Sequence, residues 1–146
     1  MAILLVVATP SVGNASCIDP ETLNKRLWMG NDGGTYRVRD VAPFPRTLHG
    51  RPRPHSIWWV GTSKDNGKTF INIFKGFRRG NVITGEWSDV HGAGRGTLEL
   101  VVDIHPPGPV QGRVAGFRKT GGTGDGFGGS EWRAECDNPT SIPKDE

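Results

Sequence analysis

Apolar and polar residues alternate with a period of two along much of the chain, and clusters of Gly, Asn and Pro interrupt the alternation at short intervals. That period puts successive side chains on opposite faces of an extended strand, so the pattern predicts strands rather than helices. Leu98, Leu100, Val102 and Ile104 alternate with Glu99 and Asp103, and Tyr36 and Val38 alternate with Arg37 and Arg39, which assigns both apolar sets to an interior. Eight segments are predicted as strands, near residues 26–30, 34–41, 56–63, 68–78, 82–89, 96–104, 110–118 and 129–136. Helical spacing is confined to Pro20–Arg26, where Asp19 can cap a short turn. Eight strands, each following the last after a turn, predict an all-β fold: a single antiparallel up-and-down barrel with one long basic, Pro-rich loop from Ala42 to His55.

Two turns set the register. Asn66-Gly67 is the preferred pair for a two-residue type I′ hairpin, and Gly80-Asn81 suits type II′ with Gly first. The first places Trp59 opposite Phe74 and Gly61 opposite Asn72; the second places Phe74 opposite Trp87, Asn72 opposite Asp89 and Lys75 opposite Glu86. The Lys75–Glu86 pairing is an independent agreement, since opposite charges directly across a ladder stabilise it by roughly 0.2–1 kcal/mol. An aromatic row, Trp59–Phe74–Trp87, and a small polar row, Gly61–Asn72–Asp89, then share the inner face. Lys75, Glu86, Thr62, Ser88, Ile71, Ile73 and Trp58 share the outer one, and a slip of one residue would exchange the two faces. Near Val114–Phe117 the glycines leave both faces weakly marked.

Composition narrows the class further. A chain of 146 residues fits one domain, and 22 Gly with 11 Pro, dispersed as punctuation, fit many short strands. The 18 basic and 15 acidic residues are intermixed, which argues against a nucleic-acid partner. The local exception is the run Arg46, His49, Arg51, Arg53 and His55 among four prolines, either a solvated insertion or, through Arg46, Arg51 and Arg53, a contact for an acidic partner. Residues 1–15 run from the apolar stretch Ile3–Ala8 through Pro10 to Gly13 and Ala15, the −3 and −1 positions of a cut after Ala15. They read as a signal peptide, leaving residues 16–146 as the mature domain, secreted or periplasmic. No apolar run is long enough for a helix to span a bilayer, so no membrane insertion is expected. In an oxidising compartment Cys17 and Cys136, just inside the two mature ends, can form a disulfide worth about 4–5 kcal/mol in the chain-entropy model; the alternative is two unpaired buried thiols.

The segment Leu27-Trp28-Met29-Gly30-Asn31-Asp32-Gly33-Gly34-Thr35-Tyr36 resembles the first hairpin of avidin-like and lipocalin-like barrels, where a Trp on strand one precedes an Asn/Asp-Gly turn. More of the chain, Trp28 to Trp132, resembles small uncharacterised bacterial exported proteins that share W-x-G-x-D-G-G-x-Y, a strand with paired Trp, F-x-N-x-F-x-G, I-x-G-x-W-x-D-V and a late F-G-G-S-x-W. Here those positions are Trp58-Trp59, Phe70, Asn72, Phe74, Gly76, Ile83, Gly85, Trp87, Asp89, Val90 and Phe127 to Trp132. The resemblance implies a calycin-type barrel and no particular activity. The Ala42–His55 insertion departs from it, and the biotin-contacting pattern of avidins is missing.

A barrel of this size is either packed solid or holds one small ligand. Trp59, Phe74 and Trp87 offer flat walls, and Asn72 and Asp89 offer directed hydrogen bonds, with Gly61 leaving room beside them. That is the composition of a site for a small molecule or glycan. The plain alternative is core packing, with Asn72 and Asp89 bonded to each other and to backbone. Asp89 and His91 would share a face as an acid/base pair if the strand continued, but no nucleophile motif accompanies them. The histidines at 49, 55, 91 and 105 lack metal-ligand spacing, and the glycine stretches Gly92–Gly96 and Gly121–Gly129 lack the context of a phosphate loop and read as rim loops, so neither metal nor cofactor is expected. Three functions stay open: ligand binding in an aromatic-lined lumen, a barrel enzyme of isomerase or cyclase type, and a protein-interaction or protease-inhibitor domain acting through the basic loop.

Overall fold

The computed structural model describes residues 22–25, 27–107, 112–124 and 126–134; the expected signal peptide, Cys17 and Cys136 lie outside these. The described chain is all-β apart from a 3₁₀ turn at Leu23–Lys25. Its strands are β1 (Leu27–Gly30), β2 (Thr35–Val41), β3 (Thr47–Leu48), β4 (Arg51–Pro52), β5 (His55–Thr62), β6 (Ile71–Arg79), β7 (Val82–Asp89), β8 (Arg95–Ile104), β9 (Val114–Thr123) and β10 (Glu131–Ala134). Eight of them close an antiparallel up-and-down barrel in which each strand pairs with the next and β10 returns to β1. The pair β3 and β4 forms a separate small hairpin inside the basic loop, with His49 and Gly50 at its turn in the left-handed region.

Both predicted registers are present: Trp59 faces Phe74, Phe74 faces Trp87, Asn72 faces Asp89 and Lys75 faces Glu86 across their ladders. The aromatic row is buried while Lys75 and Glu86 are exposed, as the hairpin geometry requires. The first turn differs from expectation. Its ladder ends at Thr62 and Ile71, followed by one more bond from Ser63 N–H to Phe70 O at 3.1 Å. Asn66 and Gly67 do take positive φ, but the loop wraps around Asp65, whose carboxylate accepts hydrogen bonds from the Ser63 hydroxyl and from the Thr69 N–H at 3.1 Å. Local side-chain bonds of this kind compete with ladder pairing and widen the turn. They also hold the Asp65 carboxyl below the usual carboxylate range, the Ser63 bond contributing most.

Two other expectations are corrected. Gly121 and Gly122, expected in a rim loop, lie inside β9 as partners of Glu99 and Leu98 across a bulge. A Cβ on Gly122, at φ +139°, would stand 2.2 Å from the Thr97 carbonyl oxygen, so glycine is what lets the two strands meet there. Ile104, assigned to the interior, is 41% exposed, because a register irregularity between Asp103 and Ile104 turns the strand end outward.

One end of the barrel is sealed. Leu23 of the 3₁₀ turn is fully buried and its carbonyl accepts the Trp28 indole N–H at 2.9 Å. Strand β1 covers β2 only from Thr35 to Arg37, and farther along the Asn24 side chain bonds both the N–H and the C=O of Asp40 in place of a neighbouring strand. The Asp40 carboxylate is held between Arg78 at 2.7 Å and His55 at 2.6 Å. The basic loop leaves the barrel at this end, and the guanidinium of Arg53 is spent on the carbonyls of Phe44 and Pro45.

Candidate functional site

The other end of the barrel brings together the sequence-derived candidates. It is ringed by the β1–β2 turn, the Asp65 loop, the turn after Asp89 and the segment leading into β10. The loops are tied in pairs: the His91 ring meets Gly67 O at 2.6 Å, and the Asn31 side chain accepts from Ser130 N–H at 2.9 Å and Glu131 N–H at 3.2 Å. This rim lies at the opposite end of the barrel from the basic loop.

Beneath the rim, Trp59 is the hub. It stacks on Phe74 at 4.4 Å and contacts Phe117, Phe127 and Trp132, with Tyr36 edge-on at 5.8 Å. Its indole N–H donates to Asn72 Oδ1 at 3.0 Å. The room expected beside Gly61 does not exist: a Cβ there would be 2.3 Å from the Tyr36 ring and 2.5 Å from Asn72 Oδ1, so the phenol fills the slot. The Tyr36 hydroxyl donates to Asp32 Oδ2, and Gly34 N–H holds the other Asp32 oxygen at 2.9 Å. Burial, and then the neighbouring Asp32 carboxylate, raise the Tyr36 phenol well above the ordinary tyrosine range, while side-chain N–H groups of Asn72 and Trp132 that face it pull the other way.

Asn72 and Asp89 do not bond each other. Asn72 serves Trp59, and Asp89 Oδ1 accepts the His91 backbone N–H at 3.1 Å, which caps the turn after β7. Nor do Asp89 and His91 form an acid/base pair, because β7 ends at Asp89 and the His91 ring turns to Gly67. Among the described residues no cluster of His, Cys, Asp and Glu could hold a metal ion.

Phe127 and Trp132, both in the late F-G-G-S-x-W motif, join the expected residues at this end of the barrel. Phe127 is half-buried at this end of the barrel, with its ring 4.9 Å from Trp87, 6.0 Å from Trp132 and 6.1 Å from Trp59. The Lys119 ammonium lies 6.0 Å from the same ring. The rings of Trp87 and Trp132 touch the Phe127 ring, and among the described residues their buried indole N–H groups have no hydrogen-bond partner; that of Trp132 faces the Tyr36 oxygen without closing a bond. Buried N–H groups are nearly always paired, which singles out these two donors.

The architecture is a closed eight-stranded antiparallel barrel compatible with a calycin-like fold. Comparison with protein-family models, with curated proteins and with solved structures gives no match.

Proposed function

We propose that the chain is an exported binding barrel of calycin type that takes a small ring-shaped ligand, a metabolite or a sugar, at the mouth covered by Phe127. The observation that carries the reading is the pair of buried indole N–H donors, Trp87 and Trp132, that have no hydrogen-bond partner among the described residues and belong to rings in contact with the half-buried Phe127. Each unpaired buried donor costs about 1–3 kcal/mol, and a ligand oxygen or ring nitrogen that accepts from it recovers that cost on binding. Phe127 sits between Gly126 and Gly128, which carry no side chain to hold the backbone on either side of it, and in this reading the ring swings aside to admit the ligand. Trp59, Trp87 and Trp132 would then form the walls, with Phe74 below Trp59. Asn72 and Asp89 act behind them, by orienting Trp59 and by capping the rim turn.

Binding is favoured over turnover because the titratable groups near the mouth are engaged structurally: Asp32 with Tyr36 and Gly34, and Asp89 with its own turn. An interaction role for the basic loop is supported by Phe44, which is 96% exposed beside Arg46, but that loop stands at the sealed end. The test is calorimetric titration of a panel of ring metabolites and small saccharides into wild type, Phe127→Ala and Trp87→Phe. A mouth ligand should bind Phe127→Ala faster or more tightly, and should lose about tenfold in affinity on Trp87→Phe, the equivalent of about 1.4 kcal/mol for one hydrogen bond. A ligand indifferent to both substitutions, or a panel without any ligand, would overturn the proposal.

A further inference from the structure

The outer wall carries a face that the mouth does not use. Along one row of the barrel the exposed residues run Arg39, Trp58, Lys75, Glu86 on strands β2, β5, β6 and β7, each directly paired with the next. The adjacent row runs Arg37, Val60, Ile73, Ser88. Trp58, Val60 and Ile73 are 47%, 48% and 48% exposed, and the eight residues line a surface groove of about 440 Å³. Trp58, Val60 and Ile73 thus form a small exposed apolar patch edged by the charges of Arg37, Arg39, Lys75 and Glu86.

The order of charges says what fits. The first row reads cation, indole, cation, anion, so it is complementary to its own reverse. A twofold axis parallel to the strands and passing between β5 and β6 lays the face on a second copy of itself with each row reversed. Arg39 then meets Glu86 of the partner subunit, Trp58 meets Lys75 of the partner subunit and Val60 meets Ile73 of the partner subunit. The Lys75 ammonium already lies 5.1 Å from the Trp58 ring centroid within one chain, so the cation–π contact across the axis uses groups suited to it. We infer that two copies of this chain associate through this wall as an isologous dimer, with Trp58, Val60 and Ile73 as its apolar centre and the Arg39–Glu86 pairs as its rim.

Sedimentation velocity of the full chain across micromolar concentrations, with circular dichroism to confirm the fold, provides the test. Wild type should be dimeric. Arg39→Glu sets two anions against each other, Glu86→Arg sets two cations, and each should raise the dimer dissociation constant by about tenfold or more. The double variant Arg39→Glu/Glu86→Arg restores opposite charges in exchanged places and should return it close to wild type. Trp58→Asp should give a folded monomer. A wild-type monomer at all concentrations, a dimer indifferent to Trp58→Asp, or single reversals that the double variant does not repair would each overturn the inference. So would a wall that instead captures an acidic saccharide as a monomer. None of these outcomes bears on ligand binding at the mouth, which calorimetry reads separately.

Discussion

Replacing Asn72 by Leu removes the acceptor of the Trp59 indole N–H while keeping roughly the same volume. Both residues are buried, and the bond between them is 3.0 Å long, so the donor is left without water or protein to accept it. A buried donor orphaned in this way costs about 1–3 kcal/mol, and the added apolar surface of Leu offsets only part of that. The net destabilisation should therefore be about 1–3 kcal/mol. Trp59→Phe removes the other partner, orphans the Asn72 carbonyl and shrinks the core, so its cost should be larger, about 2–4 kcal/mol. In the double variant neither orphan remains. The two changes should then cost less together than the sum of the singles, with a coupling of about 1–2 kcal/mol. Urea unfolding followed by circular dichroism measures all three. A cost below about 0.5 kcal/mol for Asn72→Leu, or additivity within about 0.5 kcal/mol, would show that Asn72 does not anchor Trp59.

Trp87→Ala should cost about 3–5 kcal/mol and its neighbour Glu86→Ala less than about 1, read from the same unfolding curves; similar small effects would reverse the assignment of faces. Gly61→Ala should destabilise by about 1–3 kcal/mol, because the new methyl meets the Tyr36 ring at 2.3 Å; a neutral change would show that the slot is open. Tyr36 is the sole tyrosine, so phenolate absorbance reports it alone. Its folded pKa is raised, so the unfolded chain gives up the proton first, at about 10, and the stability present below that pH is lost as pH rises beyond it. Tyr36→Phe should abolish this alkaline loss, and a native phenol titrating near 10 would contradict the burial and the Asp32 contact.

The hairpin β5–β6–β7 was legible because Asn66-Gly67 and Gly80-Asn81 fix which residues face each other, and once the pairing is fixed every side chain has its face. What escaped depended on contacts that no short turn specifies. Strand β2 reaches β5 only after the Ala42–Pro54 insertion, so nothing local sets the register that drives the Tyr36 ring into the Gly61 slot or brings Asp40 to His55 and Arg78. The Asp65 loop kept the expected register yet lost the tight turn, since Ser63 and Thr69 bond the Asp65 carboxylate inside the loop instead of extending the ladder. Gly121 and Gly122 looked like loop because glycine marks both turns and places where backbones approach closely, and only the opposing strand distinguishes the two. Phe127 was visible as a motif residue but not as a cover, because its position over Trp87 arises from the return of the chain to β10.

The most direct measurement is a nitrogen–proton spectrum of the five tryptophan indoles recorded while ring ligands are titrated in. Before addition, the Trp87 signal should lie at the position of an N–H group without an acceptor, apart from the hydrogen-bonded signals of Trp28 and Trp59, with Trp132, which faces the Tyr36 oxygen, between them. A ligand at the mouth should move Trp87 and Trp132 downfield and leave Trp58, on the outer wall, unchanged. Movement of Trp58 alone, or no movement for any ligand that calorimetry shows to bind, would contradict a binding site beneath Phe127.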